Sequence, residues 1–109
     1  MANTFRTFTD TAVGTSAATI YTVPSATATT IIGLNISNIL TVGITVDIQL
    51  ENNDGDNVYI LKDAPVPVGG ALVAVGGDQK IVMNASDVLK VTASQASAAD
   101  VIVSVLEIT

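Results

Sequence analysis

Residues 43–51, GITVDIQLE, alternate without a break. Ile44, Val46, Ile48 and Leu50 fall on one side and Thr45, Asp47, Gln49 and Glu51 on the other. Successive side chains of a strand point to opposite faces, so this spacing predicts a half-buried strand. TTIIGLNISN at 29–38 follows the same rule, with Ile32, Leu34 and Ile36 expected inward. TIYTVP at 19–24, NVYILKD at 57–63, ALVAV at 71–75, QKIVM at 79–83, DVLKVTA at 87–93 and ADVIVSVLEI at 99–108 are short and rich in valine, isoleucine and threonine, the composition of strands.

Turn signals separate these runs: PSATA, NNDGDN, APVPVGG, VGGDQ, NAS and ASQASAA. Gly69, Gly70, Gly76 and Gly77 are expected to supply positive φ, and Pro65 and Pro67 to blunt an edge. Strands recur roughly every 8–14 residues with no helical period between them, the mark of an all-β sandwich or barrel. The expected fold is a single β-sandwich, jelly-roll-like and mostly antiparallel, over 17–109. Residues 1–16 are polar but hold Phe5 and Phe8. They form an N-terminal arm or an added strand, their phenylalanines capping the core or reaching a partner.

The last strand departs from simple alternation. Val101, Val103 and Val105 face one way, but Ile102, Leu106 and Ile108 on the other side are apolar too. One face of an antiparallel sheet is commonly wet, so this strand either lies under a second layer or meets a partner.

Composition narrows the possible chemistry. The chain has 109 residues, ten acids, four bases and a net charge of −6. Nucleic acid and anionic membrane are poor partners for that sign, and no window approaches the ~18 apolar residues of a spanning helix. Only 13% of residues are charged, against about 25% in typical domains, which suits a chain that sits against neighbours. Cysteine and histidine are absent, so there is no thiolate, no disulfide and no imidazole base or ligand. Serine and threonine are plentiful, but no base is present to activate one. VGGDQ lacks the lysine and following helix of a phosphate loop. Aromatic residues, at 4%, give little area for stacking sugars or bases. No catalytic residue and no cofactor are expected.

The most site-like cluster is ENNDGDNVYILKD at 51–63. Asn52, Asp54 and Asp56 take the first, third and fifth places of a calcium loop, and Asp63 the twelfth. The sixth place holds Asn57 instead of glycine and the second half reads as a strand, so a hairpin turn is the simpler account. Asn35 and Asn84 fit the N-x-Ser pattern, which carries little without a secretion signal.

Three segments, VGTSAATIYTVPSATATTIIGLNISNI at 13–39, YILKDAPVPVGGALVAVGGDQKIVM at 59–83 and SDVLKVTASQASAADVIVSVLEI at 86–108, together resemble a group of small virion structural proteins of tailed bacteriophages, frequent in marine and cyanobacterial phages. The resemblance implies a β-rich, non-enzymatic virion component assembled in the host cytoplasm. Its first expectation is a capsid decoration (cement) protein, a homotrimer that clamps major capsid protein or other virion proteins. A neck or tail component of the particle is the alternative, and a host-surface receptor-binding module the third. The interface expected on these grounds comprises Phe5, Phe8, Ile102, Leu106 and Ile108.

Overall fold

The computed structural model describes residues 2–76 and 80–109. They form nine strands: β1 (Asn3–Val13), β2 (Ala18–Thr22), β3 (Ala28–Asn38), β4 (Ile44–Glu51), β5 (Asn57–Val66), β6 (Ala71–Val75), β7 (Ile81–Met83), β8 (Val88–Ala93) and β9 (Ala99–Ile108). One sheet runs β1-β9-β3-β6, with β7 on the same edge of β3; the other runs β2-β8-β4-β5. Every pairing is antiparallel. The chain alternates between sheets up to β4, makes the β4–β5 hairpin, and alternates back to end at β9. That strand order is a jelly roll.

Apolar residues of alternating strands meet between the layers. Ile31, Leu34 and Ile36 of β3 and Val103 and Val105 of β9 face Val46 and Ile48 of β4 and Leu89 and Val91 of β8, all almost wholly buried. Burying each such side chain contributes roughly 1.5–3 kcal/mol, so the interleaved valine and isoleucine stripes provide the main drive for sheet packing.

Three expectations change. First, Ile32 is not inward. Ile31 pairs with Val105 and Gly33 with Ser104, leaving Ile32 as the extra residue of a bulge, where the alternation changes phase. Ile31 takes the core position and Ile32 faces outward. Second, the strand expected at 57–63 continues through Pro65 to Val66. β5 is an edge, and proline is compatible with a strand whose N–H side faces solvent. Third, of the three described turn glycines, Gly69, Gly70 and Gly76, only Gly69 has positive φ, at 71°. Gly70 meets a spatial demand instead: a Cβ there would lie 2.9 Å from Pro67 Cγ. Gly77 and the Gln79 expected to open β7 lie outside the described residues.

Two buried polar residues fix the loops. Asn38 donates to the carbonyls of Val42 (2.8 Å) and Val66 (3.0 Å) and accepts the Leu40 N–H. Asp87 accepts the N–H groups of Asn53 (3.1 Å) and Asn84 (2.9 Å), joining the β4–β5 turn to the β7–β8 turn.

Candidate interface on the outer sheet face

The register of β1 on β9 decides which side chains share the outer face. Asn3 pairs with Ile108, Phe5 with Leu106, Thr7 with Ser104 and Thr9 with Ile102. On the other flank Thr30 pairs with Leu106 and Asn35 with Ile102. Directly opposed residues point to the same side of a sheet. Phe5, Ile102, Leu106 and Ile108 therefore lie on one face, joined by Ile32 at the β3 bulge. Phe5 is 74% exposed and Ile102 44%, with Leu106 and Ile108 half-buried. Between the Asn3–Ile108 and Thr9–Ile102 pairs this face carries no charged residue; it consists of threonine, serine, asparagine and apolar groups. Asp100, opposite Ser37, stands at its far end.

The outer face of the other sheet is the opposite in character. Asp47, Glu51 and Lys90 lie across β4 and β8, and Lys90 Nζ meets Glu51 Oε2 at 2.6 Å. On β5, Lys62 Nζ lies 3.6 Å from Asp47 and 3.7 Å from Asp63. The Asp47 carboxylate, with that of Asp63, raises the pKa of this exposed ammonium. The ion pairs of this face contrast with the uncharged stretch of the opposite one.

Phe8, expected in the same interface, is placed elsewhere. It is one of the even-numbered residues of β1, which face inward, and its ring lies 4.6 Å from that of Tyr21. Beside it Arg6 Nε donates to Glu107 Oε1 (2.8 Å), Tyr21 Oη donates to Glu107 Oε2 (2.5 Å), and Thr29 Oγ1 lies 2.8 Å from Tyr21 Oη. Glu107 is buried in phase with the valines of β9. Burial, together with the hydrogen bond to Glu107, pushes the Tyr21 phenol up to about 12. A groove of about 400 Å³ opens between the edge strands β1 and β2 beside these groups. Their polar atoms bond one another, so the cluster locks the two sheets together and leaves no buried donor or acceptor aimed at a ligand among the described residues.

The calcium candidates are divided. Asn52 Oδ1 accepts the N–H groups of Asp54 and Asp56, both at 3.0 Å, and Gly55 takes a positive φ of 95°: a side-chain-organised turn. Asp63 belongs to another feature. It sits six residues along β5 from Asn57, about 20 Å at strand rise, where Lys62 and Asp63 bulge opposite Asp47 and Asp47 Oδ1 accepts the Asp63 N–H at 2.7 Å. No group of three or more acidic residues converges on a common point among the described residues.

No protein-family model and no curated protein matches the chain. Solved structures share its fold. A chain of the disulfide-linked pili of Bacillus endospore appendages superposes with a TM-score of 0.56 at 13% identity, covering 99% of this chain and 87% of that one. A chain of the acid-stable capsid of a Helicobacter pylori bacteriophage superposes with a TM-score of 0.52 at 7% identity, covering 98% and 87%. This chain holds no cysteine, so any assembly of its own is non-covalent in that respect.

Proposed function

We propose that the chain is a non-enzymatic structural protein of a bacteriophage virion, a capsid decoration protein that binds its neighbours through the outer face of β1, β9 and β3. The observation that carries this reading is the contrast of charge: one sheet face is ion-paired, and the other is uncharged between its Asn3–Ile108 and Thr9–Ile102 pairs, with Phe5 and Ile102 standing out from it. Large exposed apolar patches mark interaction sites. The fold it shares with a phage capsid chain and the segments resembling phage structural proteins support the same reading. Three strands about 33 Å long present about 500 Å², less than the ~800 Å² per partner of a standard interface. Such a face suits a clamp completed by several neighbours, as in a homotrimer seated on major capsid protein. The shared fold with a pilus chain favours a second reading, a neck or tail component, in which copies stack.

Replacing Leu106 by Asp buries an unpaired carboxylate in the contact. Particles grown with the Leu106→Asp chain are expected to lose it on purification, while the isolated variant keeps its strand signal in circular dichroism. A cryo-EM map of the native particle should place the chain where capsid subunits meet; density confined to the neck or tail overturns the decoration role in favour of the second reading.

A further inference from the structure

A sandwich of two open sheets has four edges, and three of these are blunted. β2 is five residues long with a register shift between Thr19 and Tyr21. The edge beyond β3 is broken into β6, of five residues, and β7, of three. β5 carries Lys62, Pro65, two register shifts and a left-handed Asp63. These are the devices by which proteins prevent strands from adding to a sheet. From Asn3 to Asp10, β1 has no break, register shift, proline or lysine, and its two charges, Arg6 and Asp10, are of opposite sign.

Its free hydrogen-bonding groups can be assigned. Ala2 and Thr109 exchange both backbone hydrogen bonds, at 3.1 and 2.9 Å. Counting by twos along an antiparallel ladder, Thr4, Arg6, Phe8 and Asp10 direct their N–H and C=O groups at β9. Asn3, Phe5, Thr7 and Thr9 direct theirs at the open edge.

We infer that β1 pairs antiparallel with β1 of a second copy of this chain, joining two sheets into one across a twofold axis. A second copy is the occupant because β1 is the only long, unblunted edge the described residues offer. One register satisfies the side chains. With Phe8 opposite its own counterpart, Arg6 lies opposite the second copy's Asp10 and Thr7 opposite its Thr9. Aromatic and opposite-charge cross-strand pairs stabilise, and like charges directly opposed do not. Sliding one copy so that Arg6 faces Arg6 sets two cations together; centring on Thr7 leaves both charges unmatched. Arg6 is half exposed and gives only its Nε to Glu107. Asp10 accepts the Thr11 N–H and joins no ion pair among the described residues. The contact is isologous, so it uses up both edges and closes. It is independent of where the chain works.

The test is the mass of the purified chain by light scattering or sedimentation. An even copy number is expected: two from this contact alone, or six where it joins two of the trimers proposed above. Thr7→Pro removes one outward N–H without touching the β9 ladder, and should halve the mass while the strand signal is retained. Asp10→Lys, which sets two cations opposite each other, should weaken association by about tenfold or more even if the proline variant folds poorly. In this cysteine-free chain, Phe8→Cys should oxidise to a disulfide dimer, because a non-hydrogen-bonded antiparallel pair lies within disulfide reach. A monomer at all concentrations, an odd copy number, or a mass unmoved by Thr7→Pro and Asp10→Lys overturns the pairing. Cross-linking of Thr7→Cys in place of Phe8→Cys overturns the register.

Discussion

Glu107 shows why single residues are the hardest level to read from sequence. Its parity with Val101, Val103 and Val105 marks it as inward, yet a carboxylate among core valines is stable only with partners. Those partners come from positions 6 and 21, in turn steadied by position 29, and nothing local in the sequence announces them. The same holds for Asn38 and Asp87, whose contacts reach across loops. Asn52 was different: its bonds lie within its own turn, so a short window was enough to favour the turn over a metal loop. The cluster has a pH signature. The Tyr21 phenol, ordinarily 10.0, is raised to about 12. A proton held more tightly in the folded state contributes stability that is full below the unfolded value and lost as pH rises through the folded one. Stability should therefore hold up to about pH 10 and fall between 10 and 12. Thermal melts across that range check it, with Tyr21→Phe expected to flatten the fall.

At the level of elements, strands whose apolar residues alternate were legible and bulges were not. β4 pairs its inward residues as its sequence alternates, whereas the extra residue Ile32 reverses the phase within β3. A bulge depends on the partner strand, so one strand's sequence does not reveal it. β1 was ambiguous because its polar, threonine-rich sequence lacks a buried stripe; its order comes from the β9 ladder. Turn glycines looked alike in sequence but differ in what they require. Gly69 sits at positive φ with open space around it, and Gly43 is equally unobstructed but without positive φ. Gly69→Ala should cost about 1–2 kcal/mol through the left-handed backbone alone, and Gly43→Ala less than about 0.5 kcal/mol. Paired denaturant titrations would separate conformation from crowding as the reason for glycine.

For the molecule as a whole, the small number of charges was plain in the sequence, but the contrast between an ion-paired face and an uncharged stretch opposite was not, because it depends on which strands share a sheet. The same topology brings the ends of the described chain together: Arg6 and Glu107, 101 positions apart, are paired. Loop-closure entropy opposes such remote contacts, and pairings between distant segments form slowly. β1 should be the last strand to settle and the first to open. In the unpaired chain, native-state hydrogen exchange is expected to release the amides of Thr4, Arg6, Phe8 and Asp10 before those in the middle of β3 and β8. Until β1 docks, the side of β9 that receives it stands open as a template, and a strand of the same sequence from a neighbouring chain fits it equally well. Two newly made chains held close together during assembly could then each complete the other, so their connection would be set by the timing of folding as well as by the affinity of finished surfaces.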